Sequence, residues 1–409
     1  MTFFSQDAGS EAWWQAIARQ GTPLVVPVTQ GISLVTFLWR EPAGNASLLA
    51  VRRVWLNITG ITDHHSQTPP RSLKRVPGTD IWQTSLLLSN QWRGSYAVIP
   101  DTGESYPAHS LTLSNLRHWW QHQLPQAQPD PLNPHQSWRS ARGHWVSPLH
   151  MPAAPPQPEW QTVRNEEIAG EWVHLSWSSA LLKNRRDISV LITGASAPAR
   201  RPLAIFLDGQ FWSGVMPVAP PLREMTRRGE LPEAVYLFID SVNNAQRSQE
   251  LPCNATFWLA VQQELLPLIQ SQIPFSNQPQ ETAIIGQSFG GLSALYAVLN
   301  WPQRFGCALS QSGSFWWPAR ETGRGQQPGE LIQQLKAGKA LGHTLRIAMD
   351  AGLHEKIILE ANRQMIPLLT KAGHHLRYRE IEGGHDALCW RGGITDGLRW
   401  LWSTLPVSE

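Results

Sequence analysis

The sequence predicts an α/β protein in two parts: a doubly wound, mostly parallel sheet in the C-terminal half, preceded by a smaller antiparallel β-sandwich. Three observations carry this. From about Trp172 onward, short apolar runs alternate with helical stretches. Between Ile32 and Leu113, alternating strand-like runs follow one another with no helix of convincing length. Prolines crowd together between these two textures. The predicted organisation is therefore an immunoglobulin-like sandwich over residues 1–123, a proline-rich linker over 124–160 and an α/β domain over 161–409.

In the first part, SLVTFLWR, VWLNITG, WQTSLLL and GSYAVIP are separated by Gly, Pro, Asn and Asp, the punctuation of an antiparallel meander. LPQAQPDPLNP and MPAAPPQPEW then read as an extended segment lying over the surface. In the last part the expected strands are DISVLIT, PLAIFLD, AVYLFID, TAIIG, FGCALSQ, LRIAMD and LRYREIE. Helices are expected over 254–270, 289–300, 356–372 and 391–403.

A chain of 409 residues with 42% hydrophobic and 16% charged residues is globular. No stretch approaches the roughly 18 uninterrupted apolar residues of a membrane span, and the N-terminus shows no export signal, so a cytoplasmic protein without a membrane partner is expected. A formal charge of +3 is too small to imply nucleic acid. The cysteines, Cys253, Cys307 and Cys389, lie at no metal-ligand spacing, so neither a metal site nor a disulfide framework is expected. Most of the 21 tryptophans are expected to pack in cores, leaving a few for a ligand surface.

Chemistry enters at Gly286-Gln287-Ser288-Phe289-Gly290, a G-x-S-x-G motif with a short strand before it and a helix after it. A strand turning abruptly into a helix projects the Ser288 hydroxyl from the sheet edge. The Phe289 N–H, at the helix N-terminus, can then stabilise the oxyanion formed on a carbonyl. Serine needs a base, and His385 in EIEGGHDAL follows the last strand at the same edge. The acid that orients the imidazole belongs between them in the chain. In MDAGLHEKII both Asp350 and Glu355 qualify, with Glu355, in the loop, favoured. Asp386 reads as a turn or capping residue, and Asp240 is remote. A second oxyanion donor is expected from Gly209 or Gln210 in the loop after LAIFLDG.

Together DGQFW, RSQELPCNATFWLAVQQELLP, GQSFGGLSALYA, LSQSGSFWWP and EGGHDALCWRGG resemble the enterochelin (enterobactin) esterases, a branch of the esterase D-like α/β-hydrolases. The resemblance covers nearly all of residues 172–409, and a sandwich with a linker fits that family's two-domain layout. It implies a cytoplasmic serine hydrolase that opens the tri-serine trilactone of ferric enterobactin, with no resident cofactor, the iron arriving with the substrate. A tris-catecholate siderophore is anionic and carries flat rings, so cations and tryptophans should meet it. Arg247, Trp316, Trp317 and Arg320 are the candidates, with Arg391 a further option. The competing role for Arg247 is an ion pair with Glu250. One of Trp316 and Trp317 is expected to pack. The rival activity is a feruloyl or acetyl carbohydrate esterase of the same fold.

Overall fold

The computed structural model describes residues 7–42, 51–103, 112–161, 170–194, 200–319, 327–339 and 342–405. The chain divides into two compact units. One comprises Met1–Pro156 with Leu353–Glu355 and Glu382–Cys389, and the other comprises Gln157–Gly352, Lys356–Ile381 and Trp390–Glu409.

The N-terminal unit opens with a helix, α1 (Glu11–Gln20), whose N-terminus is capped by Ser10: its hydroxyl accepts the Trp13 N–H at 3.2 Å. Six strands follow: β1 (Leu24–Thr29), β2 (Ile32–Arg40), β3 (Arg53–Ile58), β4 (Arg71–Arg75), β5 (Ile81–Ser89) and β6 (Arg93–Asp101). Then come α2 (Leu113–Gln123), β7 (Trp138–Arg139) and β8 (Trp145–His150). Every pairing is antiparallel, in the order β1-β2-β5-β4-β3-β6-β8-β7.

Strand order alone does not make a sandwich; packing does. Phe37 on β2 and Tyr96 on β6 stand four places apart in that order, which in a flat sheet would separate them by about 19 Å. Their ring centroids lie 5.0 Å apart. The sheet therefore folds over at the short β4, and the inward side chains of both halves, including Val35, Trp39, Leu56, Trp82 and Val98, share one core.

The segment 124–160 departs from the expected surface linker. Its middle forms β7 and β8, with β8 hydrogen-bonded to β6, and Val146–Leu149 are buried. Pro148 is tolerated in a strand because β7 spans only two residues and pairs beside Trp145 and Val146, so no ladder there calls on its missing N–H, while its carbonyl accepts the Asn133 side chain at 2.8 Å. The Asp130 carboxylate accepts the hydroxyls of Tyr96 at 2.6 Å and Thr22 at 2.8 Å, so the segment is tied into the core. Prolines here punctuate structure instead of preventing it.

The second unit begins with the hairpin β9 (Gly170–Ser179) and β10 (Asn184–Thr193). It continues through β11 (Leu203–Phe206), α3 (Ala219–Arg227), β12 (Val235–Ile239) and α4 (Asn244–Glu250). A long helical stretch follows, α5 (Ala255–Ala260), a π-helical turn at Val261–Leu265 and α6 (Leu266–Gln270). Then come β13 (Thr282–Gln287), α7 (Phe289–Asn300), β14 (Cys307–Gln311), α8 (Glu330–Lys336), β15 (Arg346–Gly352), α9 (Ile357–Lys371), β16 (His375–Ile381) and α10 (Ala387–Leu401). The sheet order is β16-β15-β14-β13-β11-β12-β10-β9, parallel from β16 to β12 and antiparallel through β10 and β9. Strands β11 to β14 are buried at every residue, as a sheet covered on both faces requires. No helix among the described residues is long and apolar enough to cross a membrane.

Candidate active site

The central strand β13 delivers Ser288 into a conformation that few residues adopt, φ 59° and ψ −119°. The surroundings enforce it: the Ser288 N–H donates to the Gln311 carbonyl at 2.9 Å, and its own carbonyl accepts from Leu292 and Ser314 at 3.0 and 3.1 Å. Gly286 is required, because a Cβ there would collide with the Gly290 carbonyl. Helix α7 is buried from Gly290 to Leu299, so it cannot shift to relieve the turn. The Ser288 hydroxyl lies 3.3 Å from that of Ser314.

After β11 the chain turns at Asp208, φ 54°, and passes through Gly209 and Gln210 into a π-helical turn at Phe211–Val215. Gly209 crosses the end of β12 so closely that a Cβ would lie 2.5 Å from its backbone. The glycine is thus fixed by packing. Gly209 opens this helical turn and Phe289 opens α7; N–H groups at such positions have no partner within their own helix.

Arg247, on α4, ties these loops together. Its guanidinium donates to both carboxylate oxygens of Asp208, at 2.6 and 2.7 Å, and to the Gln287 carbonyl at 3.2 Å, and it lies over the Phe289 ring. Burial opposes its charge, yet Asp208 holds it above the ordinary guanidinium range. The ion pair with Glu250 weighed from the sequence does not form: Glu250 takes the buried Arg186 at 2.6 Å. Trp316 is buried against Phe289, while Trp317 is half-buried and packs on the edge of the same core. Arg391 donates to Gln157 at 2.7 Å and covers Trp160. Arg320 lies outside the described residues.

Beneath the elbow runs a ladder absent from the sequence reading. Gln287, Gln311, Asp350 and Arg379 are register partners on the adjacent strands β13, β14, β15 and β16. Their side chains bond in series. Trp212 donates to Gln287 at 2.9 Å, Gln287 to Gln311 at 3.0 Å, Gln311 to Asp350 at 3.0 Å, and Arg379 to Asp350 at 2.8 and 3.2 Å. Asp350 is therefore engaged by Arg379 and Gln311. Parallel register put these residues side by side, a relation that a single sequence does not display.

Glu355 has a different partner. Its buried carboxylate lies 2.6 Å from His385 Nδ1. Asp386 caps the start of α10, accepting the Leu388 N–H at 2.8 Å. The His385 ring also faces that of His65, with centroids 5.3 Å apart. Burial, followed by the neighbouring His64 and His385, holds His65 well below the ordinary imidazole range. Among the described residues Asp63, His64 and His65 offer metal-ligating atoms within 4.8 Å of one another. Asp63 already serves its own turn, accepting the His65 N–H at 3.0 Å, and burial pushes its carboxyl up to about 6. That competition gives no reason to assign an ion there.

A parallel sheet carrying a strained serine after its central strand, and a paired acid and imidazole in the loops after two later strands, defines a serine hydrolase of the α/β class. Family comparisons agree. The "Enterochelin esterase, N-terminal" model matches residues 34–160, and the "Putative esterase" model matches residues 179–401. The iron(III) enterobactin esterase of Escherichia coli O6:H1 is 48% identical over 97% of this chain and 97% of its own. The enterobactin esterase of Shigella flexneri, crystallised in the presence of enterobactin, superposes with a TM-score of 0.87 at 47% identity, covering 97% of this chain and 99% of that one. The ferric enterobactin esterase of Salmonella typhimurium gives 0.89 at 49% identity, with the same coverage. The chain belongs to the enterochelin esterase family.

Proposed function

We propose that the protein hydrolyses the trilactone esters of ferric enterobactin, and of the iron-free siderophore, to linear dihydroxybenzoylserine products. Ser288 is the nucleophile, His385 the base and Glu355 the acid that orients it. The observation that carries this reading is the 2.6 Å contact between the buried Glu355 carboxylate and His385 Nδ1. It fixes the tautomer that leaves Nε2 as the proton acceptor. In the chain, Ser288, Glu355 and His385 each follow the C-terminal end of a parallel strand, β13, β15 and β16.

In the proposed reaction His385 removes the Ser288 proton as the oxygen attacks an ester carbonyl. Charge collects on the carbonyl oxygen, for which the Phe289 and Gly209 N–H groups are the assigned donors. The ester C–O bond breaks and His385 returns the proton to the departing serine hydroxyl. Water, deprotonated in the same way, then cleaves the acyl-enzyme. Proton and acyl transfer draw on no redox or group-carrier chemistry, so no resident cofactor is assigned. Arg247, committed to Asp208 and Gln287, is placed here as a support of the elbow; Trp317 and Arg320 keep the assignment to the substrate rings and charge. Family membership supports a catecholate siderophore as the small-molecule substrate, and a cytoplasmic reaction that frees the iron is part of the same proposal.

The test is chromatography of ferric and apo enterobactin after incubation with wild type and Ser288→Ala. Linear products from wild type only are expected. Intact siderophore with hydrolysis of a feruloylated sugar instead would overturn the proposal.

A further inference from the structure

The loops bearing Glu355 and His385 belong to the N-terminal unit, although both are encoded within the hydrolase sequence. Individual bonds explain why. The Asp386 Oδ2 accepts the backbone N–H of Ser95 at 2.7 Å and also the Ser95 hydroxyl. Two residues earlier on β6, the Arg93 N–H donates to the Glu382 carbonyl at 3.1 Å, and the Cys389 thiol donates to the Arg93 carbonyl at 3.3 Å. Strand β6 therefore grips the loop at residues 382, 386 and 389, on both sides of His385. All of these groups are inside the protein: Arg93, Ser95, Asp386 and Cys389 are buried.

A second contact lies at the turn after β3. There Gly60, φ 76°, and Gly384 meet backbone to backbone, and a Cβ on Gly384 would stand 3.0 Å from the Gly60 Cα. A Cβ on Gly60 would stand 2.7 Å from the Cβ of His354. The two loops are also joined to each other: the His354 N–H donates to the Gly383 carbonyl at 3.1 Å, and His354 Nε2 lies 2.9 Å from Glu382. Side chains this extensively bonded hold one geometry, whereas a two-glycine loop left to itself would sample many.

We propose that the N-terminal domain is a catalytic positioning domain, in which Ser95 and Arg93 on β6 and the Gly60 turn set His385 against Glu355. This rests on the reading of His385 and Glu355 as base and acid. Ser95 and Asp386 are positioning residues, acting on the imidazole through the loop. Their effect must therefore appear in turnover of any ester, including one with no catechol ring.

The experiment is a double-mutant cycle in the full-length protein, assayed with enterobactin and with a small p-nitrophenyl ester. Ser95→Ala and Asp386→Asn should each lower kcat on both substrates by about 10- to 100-fold, the scale of a misplaced catalytic group, with KM unchanged. In a Glu355→Gln background the same changes should cost less than about 3-fold, because the pair they serve is already gone. A purely structural loss would lower the melting temperature and carry through undiminished to that background, which would overturn the inference. So would unchanged kcat on the small ester. Should Ser95→Ala fail to fold, Asp386→Asn completes the cycle alone. Full turnover by His385→Ala would instead overturn the catalytic reading beneath it.

Discussion

Asp350 and Glu355 stand five residues apart, and the sequence favoured Glu355 only by its place in a loop. The structure separates them by partner. Asp350 is held by Arg379 and Gln311, while Glu355 meets His385 Nδ1. Glu355→Gln should therefore lower kcat by about 10²- to 10⁴-fold with little change in melting temperature, since an amide can favour the wrong imidazole tautomer. Asp350→Asn should act mainly on the fold, removing about 1–3 kcal/mol of stability by leaving Arg379 underpaired. Steady-state kinetics together with thermal melts check both. A catalytic collapse in Asp350→Asn with an unaffected Glu355→Gln would reverse the assignment.

Elements show where sequence reading succeeds. Strands β11 to β14 are short, largely apolar runs bounded by turns, and α7 spans the expected residues 289–300, stopped by Trp301-Pro302. The serine elbow and the histidine were legible because their meaning lies in local context and chain order. Strand β8 was not, because prolines on both sides, and Pro148 within it, resemble a linker until β6 supplies a partner. The same limit hid the ladder from Gln287 to Arg379, whose members are neighbours only through parallel register, and the Ser95–Asp386 bond, which joins residues 291 apart in sequence. The ladder has a consequence of its own. Replacing Gln311 with Leu leaves Gln287 and Asp350 each short of a buried partner, at a cost of about 1–3 kcal/mol per group. Gln311→Leu should lower the melting temperature and also reduce kcat, because Gln287 precedes Ser288 directly. Glutamine-to-alanine changes on exposed faces, such as Gln272, serve as controls.

The whole molecule should lose stability on mild acidification, and the histidines of the N-terminal unit indicate why. Burial holds His144 down to about 4 and His65 well below its ordinary value. Both are neutral in the fold, while the unfolded chain takes up protons near pH 6.5. Stability from them is full above that value and drains as pH falls toward the folded pKa. For His144 the loss between pH 7 and pH 5 is about 1–2 kcal/mol. Asp63, pushed up to about 6, works the other way: the fold binds its proton first, so its contribution rises as pH falls from about 6 toward 3.8. With His374 in the second unit, also lowered by burial, three histidines oppose one carboxyl, and the net expectation is a melting temperature lower at pH 5 than at pH 7. His144→Gln should flatten that dependence, as thermal melts across this range would show; an unchanged slope would mean that other groups set it.

Whether the esterase works through Ser288 is decided by inactivating the enzyme with an organophosphonate and mapping the adduct by mass spectrometry. Ferric enterobactin hydrolysis is followed in the same samples. One adduct per chain, on Ser288, is expected, with activity lost in proportion to labelling. Hydrolysis that persists in fully labelled protein, or loss of activity with the adduct on another residue, would contradict it.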